Sequence, residues 1–222
     1  MNEETYELKY HLHRPWADIL FETTLPPTVL EKMIEISDKV LADSKRISWG
    51  KNLAGQIKEE LLIEPKVLNE TKLTDFFGNM VQEYVHQCNL QQAPSDQHQN
   101  MENVKNHIQV TVNSMWIVEQ QPGEYNPIHT HTNCDISSVM YLKAPNFLPS
   151  EKTERDDDGT IYFLGSSSPK TKLNTNSLKV KPTPGAFFIF PSHLQHTVYP
   201  YKTNDNFARR SVSFNASFEY KK

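Results

Sequence analysis

The segment Ile108–Leu142, IQVTVNSMWIVEQQPGEYNPIHTHTNCDISSVMYL, decides the fold. Its first part alternates Ile108, Val110, Val112, Ser114, Trp116 and Val118 with Gln109, Thr111, Asn113 and Glu119, the period-two pattern of a half-buried β-strand. Pro122-Gly123 then makes a tight turn, and Ile136–Leu142 reads as another strand. Between them lie His129, His131 and Asp135. Side chains two apart in an extended backbone share a face, so His129 and His131 can grip one ion together. The stretch reads as half of a metal site.

The other half lies downstream, in Phe190-Pro191-Ser192-His193-Leu194-Gln195-His196-Thr197-Val198-Tyr199-Pro200. His193 follows Pro191-Ser192 in a turn, whereas His196 opens a strand. Runs at Thr160–Leu164, Ser177–Val180, Ala186–Phe190, Thr197–Tyr199 and Ser211–Phe218 bring the set to about eight short strands, each bounded by Pro, Gly or Asn. Pro182-Thr183-Pro184-Gly185 is the strongest turn among them. Such a succession predicts a jelly roll, or double-stranded β-helix.

Upstream the period changes. Val29, Leu30, Met33, Ile36, Val40 and Leu41 recur at helical steps after Pro26-Pro27 and predict a helix ending near Asp43. Leu73, Phe76, Phe77, Met80, Tyr84 and Cys88 predict a second, capped by Thr71 or Thr74. Tyr6–Phe21 reads as an extended edge, Ser48–Ile63 as a loop with room for one strand, and Gln91–Asn106 as a polar linker. The expected fold is mainly β with flanking helices. One domain spans 1–222: residues 1–106 form a helical and extended support whose two helices pack on the outer sheet, and 107–222 form a cupin-like double-stranded β-helix.

A net charge of -4 and a pI near 6.1 give no global positive field, so nucleic acid is not an expected partner. Cys88 and Cys134 lack metal-type spacing and suggest neither a disulfide framework nor a zinc knuckle, which fits a reducing cytoplasm. Met1–Tyr10 is polar and no stretch is long and apolar enough for a bilayer, so the expectation is a soluble protein without membrane attachment; a homodimer is left open. Lys170, Lys172, Lys179 and Lys181 read as the guard of an exposed edge strand, and Glu154–Gly159 as a solvated acidic turn.

Taken in order, His129-x-His131, the distal His196 and Arg209-x-Ser211, all on short strands, resemble the iron(II)/2-oxoglutarate-dependent oxygenases. The closer resemblance is to a hydroxylase branch found in marine bacteria and phages, and it covers Ile108 to the C-terminus. It implies Fe(II) held by His129, His131 and His196, with 2-oxoglutarate as co-substrate. Arg209 would take the distal carboxylate of 2-oxoglutarate, because guanidinium offers a planar pair of donors. Ser211, on the same strand face, would add a hydroxyl, and Tyr141 would assist. The activity implied is a dioxygenase that hydroxylates an unidentified small-molecule or peptidyl substrate, with 2-oxoglutarate and O2 converted to succinate and CO2.

The sequence departs from that family at His131, where most members carry Asp or Glu. Either the site is three histidines, or Asp135 swings in, or His131 leads a shifted motif. Three histidines are favoured, with Asp135 as an acceptor for an imidazole N–H. Arg210 is expected on the opposite face to Arg209, although a one-residue slip would exchange them. Two rival readings are a cupin-type metalloprotein that does not use 2-oxoglutarate and a non-catalytic jelly-roll binding module.

Overall fold

The computed structural model describes residues 18–93, 104–149, 156–165, 176–205 and 207–221. Most of Tyr6–Phe21, most of Gln91–Asn106, Lys170, Lys172 and the start of the acidic turn at Glu154 lie outside these residues.

Antiparallel strands build two sheets. The large sheet contains β1 (Phe21–Thr24), β2 (Glu59–Leu62), β3 (Ile108–Gln120), β5 (Ile136–Lys143), β8 (Ala186–Pro191) and β10 (Arg209–Tyr220), in the order β1-β8-β5-β10-β3-β2. The small sheet contains β4 (Asn126–His129), β6 (Ile161–Leu164), β7 (Ser177–Val180) and β9 (His196–Val198), in the order β4-β9-β6-β7. This is the two-layered double-stranded β-helix that the alternation and turn residues predict. β1 is additional to the expected strands, and β2 is the strand for which Ser48–Ile63 has room. β7 is the edge of the small sheet, and its Lys179 pairs with Asp157 as Lys181, just beyond it, pairs with Asp156.

Helices α1 (Pro27–Ala42), α2 (Pro65–Glu70) and α3 (Leu73–Gln92), with a 3-10 turn at Gly50–Asn52, complete the described elements. Pro27 stands in the first turn of α1, where its missing N–H costs nothing. α3 buries Leu73, Phe77, Val81, Tyr84 and Val85, a stripe at three- and four-residue steps, while Phe76, Met80 and Cys88 flank it half-buried. The expected threonine cap does not form. Lys72 holds the cap position in the left-handed region (φ 58°), and Thr71 Oγ1 instead donates to the carbonyls of Val67 and Leu68, because the end of α2 lies closer than the start of α3.

The main core lies between the helices and the large sheet. Met33, Phe77 and Val81 meet Met115, Ile117, Met140, Phe187, Val212 and Phe214, and the Phe77 ring sits 5.4 Å from that of Phe214 and 5.9 Å from that of Phe187. A smaller cluster joins the two sheets: Val139, Tyr141, Phe188 and Phe190 from the large one, Ile161, Phe163 and Val198 from the small one.

The single apolar face expected for β3 is not what forms. Pairing with β10 runs from Asn215 opposite Ser114 to Ala216 opposite Val112, so Asn113 is left without a partner residue. Such a bulge reverses the alternation. Ile108, Val110 and Val112 pack on the helix side before it, Met115 and Ile117 do so after it, and Trp116 and Val118 turn to the cavity between the sheets.

Candidate active site

Pairing of β4 with β9 sets His129 directly opposite His196. His131 stands just past the end of β4, where its backbone N–H donates to Ser192 O at 2.9 Å while Ser192 Oγ donates to Cys134 O at 2.8 Å. These bonds tie the turn before β9 to the loop after β4. As a result the ligand atoms of His129, His131 and His196 all lie within 4.8 Å of one another, and the Nε2 atoms of His131 and His196 are 3.3 Å apart.

The ring tautomers follow from the backbone. His129 Nδ1 faces Pro127 O at 2.8 Å and His196 Nδ1 faces Leu194 O at 2.9 Å. A carbonyl only accepts, so each Nδ1 carries the proton and each Nε2 presents a lone pair to the cluster. Burial keeps all three rings neutral: it lowers the pKa of His196 to about 3 and of His131 to about 4, and lowers that of His129 as well. Converging neutral imidazoles with inward lone pairs suit a divalent first-row metal.

The other residues weighed for the metal stand elsewhere. Asp135 accepts the backbone N–H of Phe218 at 3.1 Å and lines a separate cavity with Ile136 and His193. Backbone carbonyls take the N–H groups of His129 and His196 that Asp135 was expected to receive. His193 is exposed and faces Asp18 Oδ1 at 2.8 Å.

The histidines line a cavity together with Trp116, Val118, Tyr141, Arg209 and Ser211. Arg209 is 1% exposed. Its Nη1 donates to Gly159 O at 3.2 Å and its guanidinium carbon lies 5.6 Å from the centre of the Tyr141 ring. Gly159 adopts φ 71° against the Phe147 ring, so a side chain there would be strained and would collide. Arg209 Nε and Tyr141 Oη are both buried without a hydrogen-bond partner. Desolvation pulls the Arg209 pKa down and pushes that of Tyr141 up to about 12. Arg210 points the other way, into Glu119, Asp38 and Ser37.

Other contributors are not apparent from motif order. Tyr201 Oη accepts the backbone N–H of Arg209 at 2.9 Å and donates to Gln120 O at 2.7 Å, pinning the start of β10. Leu53, Ala54, Glu60 and Asn126 also line the cavity. For Glu60 a signal exists: it alternates with Leu61, which belongs to the helix-side core, so it must face the cavity.

Residues 114–215 match the family described as "Putative 2OG-Fe(II) oxygenase". A prolyl-4-hydroxylase from Pseudomonas putida superposes with a TM-score of 0.50 at 14% identity, over 91% of this chain and 93% of that one. A prolyl hydroxylase from Trichoplax adhaerens, solved with a peptide fragment of the hypoxia inducible factor oxygen degradation domain, gives 0.53 at 12% identity, over 90% and 83%. The α-ketoglutarate-dependent epimerase SnoN of nogalamycin biosynthesis gives 0.54 at 9% identity, over 92% and 82%. At such identities these structures show a shared fold. No curated protein sequence matches. The stretch 114–215, which carries the histidine cluster and Arg209, is thus the part of the chain that is similar to the 2OG-Fe(II) oxygenases.

Proposed function

We propose that His129, His131 and His196 hold Fe(II), that Arg209, Ser211 and Tyr141 hold 2-oxoglutarate, and that the cavity between them hydroxylates a small molecule or a peptide. The observation that carries this assignment is Arg209. A guanidinium that is fully buried, with its Nε unpartnered, in the same cavity as three converging imidazoles is set up for an anionic ligand beside the metal.

Bound Fe(II) supplies the redox chemistry by which O2 and 2-oxoglutarate become succinate and CO2 while the substrate is oxidised. The chain supplies ligation, orientation and dryness. The carbonyls of Pro127 and Leu194 hold the imidazole protons away from the cluster and keep the lone pairs inward. All three ligands are neutral, so the dianionic co-substrate balances the charge of the metal. Arg209 presents planar donors to the distal carboxylate, and the Tyr141 hydroxyl has its proton free to join them. Phe163, Phe190 and Ile161 keep water from the histidine rings. The reading includes a cytoplasmic enzyme, supported by Cys88 and Cys134 being free thiols.

Calorimetric titration of 2-oxoglutarate into anaerobic Fe(II) protein, or Mn(II) protein as a stand-in, tests the assignment. Saturable binding that disappears when any one of the three histidines is replaced by Ala is expected. Absence of binding by the wild type would remove the proposal.

A further inference from the structure

Glu60 is a second buried ionisable group in the cavity. It is 1% exposed, lines the cavity with the three histidines and Arg209, and its Oε2 is buried with no hydrogen-bond partner. Glutamate is almost never buried so completely unless paired. The charged side chain acting on it is another carboxylate, Glu124, which adds to desolvation in raising the Glu60 pKa to about 7.

Sheet register places Glu60 relative to the co-substrate residues. Glu60 pairs opposite Val118, Val118 opposite Ser211 and Ser211 opposite Tyr141, so the four form one row across β2, β3, β10 and β5. At the usual strand spacing Glu60 stands about 10 Å from Ser211 and about 14 Å from Tyr141. It therefore sits at the end of the cavity away from the Arg209 group. Two glycines pack against its head. A Cβ at Gly50 would come within 3.3 Å of Oε2, and one at Gly55 would meet both Glu60 Oε1 and Asn126 Oδ1. Two oxygen acceptors thus lie against the same glycine.

We infer that Glu60, with Asn126, selects the primary substrate, and that this substrate carries a protonated amine or guanidinium. A cationic donor satisfies the orphan oxygen and supplies the counter-charge that the described residues do not. A dianion such as 2-oxoglutarate is repelled from this end and drawn to Arg209, so the two ends of the cavity sort the two ligands by charge. The inference rests on the assignment of the Arg209 end to 2-oxoglutarate.

The test uses Mn(II) protein first saturated with 2-oxoglutarate. Agmatine and the Nα-acetyl amides of L-arginine and L-lysine are then titrated beside the uncharged Nα-acetyl amides of L-citrulline and L-norleucine. At least one cation should bind about tenfold or more tightly than the neutral compounds. Glu60→Gln should erase the preference. Glu59→Gln, one residue away on the opposite strand face, should keep it. Neutral compounds binding as well as the cations, no cation binding to protein that has taken up 2-oxoglutarate, or a preference that survives Glu60→Gln would each overturn the inference alone. Failure of 2-oxoglutarate itself to bind would remove the co-substrate assignment and the inference with it. The wild-type ratio of cation to neutral affinity decides the matter even if Glu60→Gln does not fold.

Discussion

On its helix side, β10 sends Arg210 into Glu119, Asp38 and Ser37, and Val212 and Phe214 into a core shared with Met33 and Phe77. On its cavity side the same strand presents Arg209, Ser211 and Ser213, and there Arg209 Nε, Tyr141 Oη and Glu60 Oε2 have no partners. An unsatisfied buried polar group costs roughly 1–3 kcal/mol. The helix side of β10 pairs its charge internally, through Arg210 with Glu119 and Asp38; the cavity side leaves its polar groups to be met by ligands.

This contrast predicts that mutations on the two faces act on different observables. Phe77→Ala, on the helix side, removes a fully buried ring between Phe187 and Phe214 and should lower stability by about 3–5 kcal/mol in denaturant unfolding. Its folded fraction should bind 2-oxoglutarate as the wild type does. Arg209→Ala, on the cavity side, should weaken 2-oxoglutarate binding by about 2–4 kcal/mol, roughly thirty- to thousandfold, measured by calorimetry. Its melting temperature should be unchanged or higher, because an unpaired buried charge is removed. Arg210→Ala should do the reverse: about 2–3 kcal/mol of stability lost as Glu119 is left unpaired, with a far smaller effect on 2-oxoglutarate. A greater loss of 2-oxoglutarate affinity in Arg210→Ala than in Arg209→Ala would break the comparison.

What the sequence discloses follows the same division between local and long-range physics. Strand alternation alone separates Arg209 and Ser211 from Arg210, because only positions within one strand need counting. Turn residues bound most of the strands for the same reason, and the order His129, His131, His196 is readable because each lies at or beside a strand end. The bulge at Asn113 carries no signal that composition or period reveals; it appears only when β3 is laid against β10. The exclusion of Asp135 likewise depends on distant partners, since Phe218 N–H captures its carboxylate. β2 is four residues long and becomes a strand only by pairing with β3, which is why the cavity residue it contributes is invisible to motif order.

Glu60 provides the finest division between the faces, because its cost depends on pH. Its pKa rises from an ordinary value near 4.5 to about 7 in the fold, chiefly through desolvation, with Glu124 adding to it. A carboxyl whose folded pKa is raised binds its proton more tightly when folded. Its contribution to stability is therefore fully present below about 4.5 and is lost as the pH climbs through about 7. Between pH 5 and pH 8 the wild type should lose about 2 kcal/mol on this account, and Glu60→Gln, which cannot ionise, should be spared that loss. Denaturant unfolding of both proteins at the two pH values measures it, without metal or 2-oxoglutarate. A cationic ligand should act in the same direction as the mutation, because it neutralises the carboxylate in place. Parallel stability profiles for the wild type and Glu60→Gln would show that the carboxyl is solvated and that the cavity end it occupies is not dry.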